Sequence, residues 1–354
     1  MDNSVLFDNW GLALANWALS QVPSHDGEPP KRTNLSYRGI GVTEFEGLSV
    51  WEDWIGVMAL ADLLDALVFY DTVVYPEPHS NWWLHRFDGL QPLLSHIQQA
   101  QVDTDTMVRL RQASEQLSGT LLEVSRVGGI VSEGSIFYLL LGSLLETPYQ
   151  PSPKRADFVS SVFTNPSGTD SAQQHLLRFF DAASVQLCAE IQNAIGLRLS
   201  AVRVPVVASY IFSEVKAKEE IAPLLLQIRA SSERRALTTW LAEGNQLLTN
   251  GNVAQYVKHF QAVRDVFEDL RKTLGLKESE SATVSLGLSP SLDMSTSALS
   301  GWFRRRKPYT VLVKRFAEHL LSSRTYAKDV HRLFGMGQYY AKSMEERLRR
   351  RLAP

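Results

Sequence analysis

The sequence has little cysteine, no long uncharged apolar run and no signal-peptide pattern at its start. Its single cysteine, Cys188, excludes an intrachain disulfide and a zinc site built from cysteines. The longest strongly apolar segment, residues 134–145, is too short to cross a bilayer, so we expect no membrane span. The first ten residues are acidic rather than basic, unlike the start of a secretory signal. We therefore expect a soluble cytoplasmic protein.

The common motifs of cofactor and metal enzymes are also missing. The chain contains no G-x-x-x-x-G-K-[ST] phosphate loop and no H-E-x-x-H zinc helix. The segment RGIGVTEF places Gly39 and Gly41 as in a dinucleotide-binding turn, but Glu44 stands where the third glycine belongs. A carboxylate at that position would repel the phosphates. We therefore expect no cofactor.

Charge is distributed unevenly along the chain, although the net charge is only −2. Residues 1–150 carry a net charge of −12, residues 151–300 are neutral, and the final 54 residues carry +10. Residues 278–300 include eight serines and predict a linker. These shifts predict an acidic, tryptophan-rich helical region 1–150, a helical region 151–277, the serine-rich linker 278–300 and a basic C-terminal segment 301–354.

Helical periodicity dominates the pattern of apolar residues. It runs through residues 4–20, where Leu6, Trp10, Leu14 and Trp17 form one stripe, and through 51–70, 105–127 and 170–197. The β-branched runs at 71–78 and 201–212 predict short strands, the second one either a strand or an extended connector. Further helices are expected between 217 and 274 and up to about 334. The sequence thus predicts a mainly α, multi-helix globular protein with a few short strands.

The strongest functional signal is the basic C-terminal segment, residues 301–354, which begins with the run GWFRRRKPYTVLVKRF. Arginine forks match phosphate geometry, and neighbouring aromatic rings stack on exposed bases. A second arginine cluster ends the chain. The predicted nucleic-acid contacts are Trp302, Arg304, Arg305, Arg306, Lys307, Lys314, Arg315, Arg347, Arg349, Arg350 and Arg351.

Two other partners suit the same cations. One is an acidic protein surface, either on another protein or on the acidic first region of this chain, which includes self-association. The other is a membrane surface, because Leu312, Phe316, Leu320 and Leu321 form an apolar helical face beside the cations. Charge alone does not choose between these partners and nucleic acid.

A pair of carboxylates, Asp62 and Asp65, lies on the apolar helix predicted over residues 51–70. Their spacing of three places both on one helix face. Because a buried unpaired charge is very unfavourable, they must be paired, hydrogen-bonded or metal-bound. One interpretation is a divalent-metal hydrolase site. The other is a set of structural ion pairs, for example with Arg38 or Arg86.

The segment RTYAKDVH places Arg324 seven residues before His331. This spacing resembles the Arg and His pair of helical ribonuclease domains of the HEPN family, although Thr325 replaces the polar residue that the family prefers after its Arg. The resemblance covers these two positions and implies metal-free RNA cleavage, usually across a dimer. Seven residues are about two helical turns, so both side chains would share a face.

The leading hypothesis from the sequence is a bacterial, non-enzymatic binding or assembly protein. It would engage nucleic acid or a protein partner through the basic C-terminal segment. The alternative is a nuclease, either a metal-free ribonuclease that uses Arg324 and His331 or a metal-dependent hydrolase that uses Asp62 and Asp65.

Overall fold

The structure, a computed structural model, confirms the mainly α class. It describes residues 4–26, 34–38, 41–45, 53–76, 87–125, 129–145, 147, 149–152, 155, 207–249, 252, 255, 258–259 and 326–335. Of these residues 71% are helical, and the strands are short. Within the described residues, no helix combines the length and the apolarity that a bilayer crossing requires.

The chain divides into two compact units. The first unit comprises Met1–Leu199 with Ala217–Ala222, and the second comprises Ser200–Lys216 with Pro223–Pro354. The four regions predicted from charge and composition are not tested by this division and stay a prediction. The linker 278–300 and nearly all of the basic C-terminal segment lie outside the described residues.

The first unit contains six short strands and four α-helices among its described residues. The strands are β1 (Ser4–Phe7), β2 (Asn34–Arg38), β3 (Gly41–Phe45), β4 (Thr72–Tyr75), β5 (Ile97–Gln99) and β6 (Tyr149–Gln150). The helices are α1 (Asn9–Ser20), α2 (Asp53–Phe69), α3 (Thr104–Ser125) and α4 (Gly129–Leu144), and a 3₁₀-helix over Gln91–His96 precedes β5.

Four of these strands form a parallel sheet in the order β5-β4-β1-β6. Strand β1 lies between β4, where Ser4 pairs with Thr72, and β6, where Leu6 pairs with Tyr149. Strands β2 and β3 form a separate antiparallel hairpin. The helical connections of a parallel sheet cover its faces, which explains why so small a sheet sits in a mainly helical chain.

The helix predicted over residues 4–20 is wrong for its first four residues, which form strand β1. Leu6 fits the apolar stripe of the predicted helix, but the structure buries it in the sheet at 0% exposure. A short apolar run fits a buried strand and a helical turn equally well, so periodicity alone does not separate them. Asp8 marks the boundary, because its backbone is extended (φ −82°, ψ 155°) and its side chain caps α1.

Three other predicted elements are confirmed in the first unit. The helix predicted over 51–70 is α2, the strand predicted within 71–78 is β4, and the helix predicted over 105–127 is α3. These segments have strong local signals, because α2 is apolar on nearly every face and β4 is β-branched and stopped by prolines. Long, strongly patterned segments are those that sequence reasoning identifies best.

Helices α1 and α2 pack so closely at Gly56 that a larger residue there is expected to destabilise the chain. A Cβ atom at Gly56 would overlap the Trp17 ring and lie 3.3 Å from the Leu14 carbonyl oxygen. Because Trp17 is buried, the ring has no free space to move into. We expect Gly56→Ala to lower the free energy of unfolding by about 1–3 kcal/mol in urea titrations.

Gly11→Ala is the matched control for this prediction, because it makes the same change in α1. A Cβ atom at Gly11 would meet Phe7 at 3.4 Å, which is an ordinary contact. Alanine should therefore stabilise this helix by up to about 1 kcal/mol, as helix propensity predicts. If Gly56→Ala were as stable as Gly11→Ala, the close packing of α1 on α2 would be wrong.

The second unit is described through four α-helices. They are α5 (Val207–Glu214), α6 (Ile221–Ala230), whose first two residues belong to the first unit, α7 (Ser232–Thr249) and α8 (Tyr326–Phe334). These confirm helices after residue 217 and a helix that ends at 334. The strand or extended connector predicted over 201–212 is wrong from residue 207 onward, where α5 begins.

The reason for this error is visible in the burial of α5. Val207, Ala208, Ile211 and Phe212 are buried, and their spacing follows a helical rather than an alternating period. The β-branched composition therefore predicted the wrong element, because tertiary burial overrides a weak propensity.

The end of α5 is held by Arg332 of α8, which donates to the carbonyl oxygens of Phe212 (2.6 Å) and Val215 (2.7 Å).

Candidate functional site at the carboxyl edge of the sheet

The strand order creates a topological switch point beside β1. The chain builds the sheet from β1 outward to β4 and β5 and then returns to add β6 on the other side of β1. In open α/β sheets, ligands bind outside the carboxyl ends of the strands where the order reverses in this way. A ligand site is therefore expected at the residues that follow β1 and β6.

Asp8 immediately follows β1 and is completely buried. Its Oδ1 accepts a hydrogen bond from the Gly11 N–H (2.7 Å), which caps α1. Its Oδ2 accepts from the Ser152 N–H (2.7 Å) and from the Tyr149 hydroxyl (2.8 Å). The carboxylate thus joins the ends of β1 and β6, and all its donors come from fixed backbone or buried groups.

Arg155 supplies the charge that balances Asp8. Its Nη1 lies 3.3 Å from Asp8 Oδ1, and both side chains are almost fully buried. The guanidinium carbon lies 3.9 Å from the centroid of the Trp10 ring and 4.8 Å from that of Tyr138. Such contacts of a guanidinium with aromatic faces are favourable, especially away from water. Gly134 of α4 makes room for the group, since a Cβ atom there would overlap its Nη2.

Two buried tyrosines complete the wall of the site. The rings of Tyr138 and Tyr149 stack with centroids 5.3 Å apart, and the Tyr138 hydroxyl oxygen accepts from the Asn9 N–H (3.0 Å). Burial raises the pKa of Tyr138 to about 12. Burial, assisted by the adjacent Asp8 charge, also raises the pKa of Tyr149 well above its usual value. Both phenols are therefore neutral at physiological pH, and Tyr149 acts as a hydrogen-bond donor to Asp8.

Two side-chain oxygen atoms at this edge are buried and have no hydrogen-bond partner in the part of the chain that the structure describes. They are Asn9 Oδ1 and Ser152 Oγ. Ser152 as a whole is 3% exposed, whereas Asn9 is half-buried. Buried polar groups are almost always hydrogen-bonded, so exceptions at a predicted ligand position are informative.

The described residues of the site are joined by hydrogen bonds and one ion pair. Asp8 accepts three hydrogen bonds, and its Oδ1 also lies within ion-pair distance of Arg155. Within the described ranges, no three His, Cys, Asp or Glu side chains gather closely enough to hold a metal. Among the described residues, the arrangement is a buried corner in which Arg155 balances the charge of Asp8.

Asp62 and Asp65, predicted from the sequence, lie on a different part of the first unit. Both are on α2, where Asp62 is half-buried and Asp65 is buried, and each takes part in a further interaction. Helix α2 leads to the amino end of β4, and β4 is parallel to β1. Asp65, near the end of α2, therefore lies toward the edge opposite Asp8. Their role as a metal site stays a prediction.

The other predicted residues fall mostly outside the described part of the chain. Arg324 and every residue named above as a nucleic-acid contact lie outside the described residues. His331 is described, and it is exposed on α8, whose buried residues include Val330, Leu333 and Phe334. The structure therefore tests neither the basic clusters nor the Arg324 and His331 pair.

The residues of the switch-point site were missed by sequence reasoning. Asp8 had a usable signal, since an aspartate between a short apolar run and an amphipathic stretch is a typical helix N-cap. Arg155, Tyr149 and Ser152 had none, because they meet Asp8 only through the pairing of β6 with β1. That pairing joins residues more than 140 positions apart.

Comparison with known proteins supplies no assignment for this site. No family model, no curated protein and no solved structure matches the chain. A function must therefore follow from the charges and contacts of the chain itself.

Proposed function

We propose that this chain is a nucleic-acid-binding protein that holds the phosphate backbone through its basic C-terminal segment. The observation that carries this proposal is the net charge of +10 in residues 301–354, concentrated in the runs 304–307 and 347–351. Both runs are rich in arginine, whose planar fork bonds bidentately to phosphate. Such clustering is the electrostatic footprint of polyanion binding.

The topology of the first unit supports the same class of function. Its parallel sheet presents a switch-point edge with polar groups, which is where open α/β sheets receive ligands. Among the described residues of that edge, Arg155 is paired with Asp8, so this arginine is not the group that would neutralise phosphates. In this proposal the basic segment supplies affinity for the backbone.

The proposal predicts that three adjacent arginines dominate binding. We expect Arg304→Ala, Arg305→Ala and Arg306→Ala together to weaken binding to single-stranded RNA or DNA by roughly 10- to 100-fold at low salt. Each exposed ion pair contributes up to about 1 kcal/mol, and 1.4 kcal/mol is a factor of ten. Fluorescence anisotropy with labelled oligonucleotides measures this change.

The matched control removes three arginines elsewhere. Arg109, Arg111 and Arg235 are exposed in the described helices, so their joint replacement by alanine lowers the net charge by the same amount. This control should change affinity little. Equal losses in the two triple variants would mean that overall charge, and not the position of the arginines, sets the affinity. Intact affinity after loss of Arg304, Arg305 and Arg306 would mean that nucleic acid binds through other residues. No binding even at low salt would favour an acidic protein surface as the partner.

A ribonuclease is the second candidate, and the exposure of His331 on α8 favours it. An exposed imidazole is accessible to an RNA phosphate, as the resemblance to the HEPN pair requires. A denaturing gel of the RNA recovered from the binding experiment distinguishes cleavage from binding alone. Cleavage that survives a chelator and is lost in His331→Ala would establish this activity, whereas chelator-sensitive cleavage would point to Asp62 and Asp65. Intact RNA leaves binding as the function.

A further inference from the structure

Arg332 is a cation of the basic C-terminal segment whose hydrogen bonds go to the chain itself. Its Nη2 donates to the Phe212 carbonyl oxygen (2.6 Å), and its Nη1 donates to that of Val215 (2.7 Å). The same Nη2 lies 3.2 Å from Asp329 Oδ1, three residues earlier in α8. Although 40% of the Arg332 side chain is exposed, both terminal nitrogens of its guanidinium are already bonded to protein oxygens.

The two carbonyl groups need a donor because they lie at the carboxyl end of α5. The last carbonyls of a helix have no partner within the helix, and Phe212 and Val215 are only 0% and 1% exposed, so water has little access to them. The last turn of α5 contains no basic residue of its own. Arg332 therefore caps α5 from another helix, and its positive charge suits the negative end of the helix dipole.

An apolar contact joins the same two helices. The rings of Phe212 and Phe334 pack edge to face, with centroids 5.2 Å apart and planes at 73°. Val330 and Leu333 of α8 are buried as well. Polar and apolar contacts thus meet at Phe212, and together they fix α8 on α5 within the second unit.

The anchored helix lies between the two basic runs along the chain. Residues 308–325 separate the run 304–307 from α8, and residues 335–346 separate α8 from the run 347–351. Because the chain joins both runs to α8, a fixed α8 restricts the positions that the runs can take. Restricting a binding segment before it binds lowers the entropy lost on binding and so raises its affinity.

We propose that Arg332 is a positioning residue for the basic C-terminal segment. It anchors α8 to α5, and it contributes to polyanion binding by limiting the freedom of the two basic runs rather than by contacting phosphate. This inference rests on the proposed nucleic-acid function, which it deepens by separating the cations that bind phosphate from a cation that holds the segment in place.

The test measures the affinity of the full chain for a labelled single-stranded oligonucleotide over a range of salt concentrations. We expect Arg332→Ala to weaken binding by roughly 3- to 10-fold. The slope of affinity against salt should stay as in the natural chain, because no phosphate contact is lost. Phe334→Ala should act in the same way, although it removes no charge. Arg235→Ala is the matched control, since it removes an exposed arginine of α7 and should leave both the affinity and the slope unchanged.

Hydrogen exchange tests the anchor without any nucleic acid. In both Arg332→Ala and Phe334→Ala, the backbone amides of residues 327–334 should exchange about tenfold faster or more, because the helix opens more often when its contacts with α5 are lost. Arg332→Lys keeps the charge but not the planar fork, so it should give an intermediate rate. The lysine variant also carries the binding test if the alanine variant does not fold.

The failures of the two proposals are distinguishable. If the natural chain binds, a slope that falls by about 0.7 in Arg332→Ala and not in Phe334→Ala would mean that Arg332 contacts a phosphate, which would overturn the positioning role. Unchanged affinity despite faster exchange would also overturn it, and unchanged exchange would overturn the anchor itself. Absence of binding by the natural chain at low salt would instead reject the proposed function, and the positioning role with it.

Discussion

Replacing Asp8 by alanine is expected to lower the free energy of unfolding by about 3–5 kcal/mol, the largest effect of any single substitution considered. The change leaves Arg155 as a buried charge without its carboxylate partner, and it removes the acceptor of the Gly11 N–H, the Ser152 N–H and the Tyr149 hydroxyl. Unpaired buried charges and donors each add to the penalty. Urea unfolding followed by tryptophan fluorescence measures it.

Asp103→Ala is the control that separates the contribution of the buried ion pair to stability from the contribution of helix capping. Asp103 also accepts from a backbone N–H in the first turn of its helix, that of Thr106 at 2.8 Å, but it is exposed. Its replacement should lower stability much less than Asp8→Ala, because its helix end remains hydrated. Equal losses in the two variants would mean that Asp8 is only a helix cap and that the Arg155 pair contributes nothing.

Alkaline pH is expected to destabilise the chain steeply above about pH 10, the usual pKa of tyrosine. Burial raises the pKa of Tyr138 to about 12, and it raises the pKa of Tyr149 as well. The folded state therefore holds these protons more tightly than the unfolded state. Stability is fully present below the unfolded pKa and is lost as the pH rises toward the folded pKa. Each group that titrates only after unfolding contributes about 1.4 kcal/mol per pH unit.

Two measurements check this prediction. The free energy of unfolding from urea titrations should be flat near pH 9 and fall above about pH 10, with a shallower fall in Tyr138→Phe. Absorbance of tyrosinate at 295 nm should show that part of the signal from the eleven tyrosines appears only as the chain unfolds. A complete tyrosine titration in the folded state, with no loss of stability, would contradict the burial of this pair.

The fold was predictable from the sequence where local patterns decide it. Helices α2 and α3 have apolar spacings long enough to fix their type, and β4 is a β-branched run stopped by prolines. Strand β1 was not predictable, because its four residues continue the apolar spacing of α1. Strand β6 is only two residues long, and its pairing with β1 is a long-range contact without a local signature.

The candidate site was less predictable than the fold for the same physical reason. Asp8 and Arg155 are separated by nearly half the chain, and neither stands in a motif of chemically active residues. The pair that did have a local pattern, Asp62 and Asp65, lies toward the opposite edge of the sheet. Helical spacing shows which residues share a face, but only the strand order shows which segments meet at one edge.

The most direct test of the proposed function is the salt dependence of binding to a single-stranded oligonucleotide. Counterion release makes the logarithm of affinity fall linearly with the logarithm of salt, by about 0.7 per neutralised phosphate on single strands. We predict a steep slope for the natural chain and a slope smaller by about 2 when Arg304, Arg305 and Arg306 are replaced by alanine. The control without Arg109, Arg111 and Arg235 should keep the natural slope. Binding that is absent at low salt, or a slope that the loss of Arg304, Arg305 and Arg306 leaves unchanged, would contradict phosphate contact by the basic C-terminal segment.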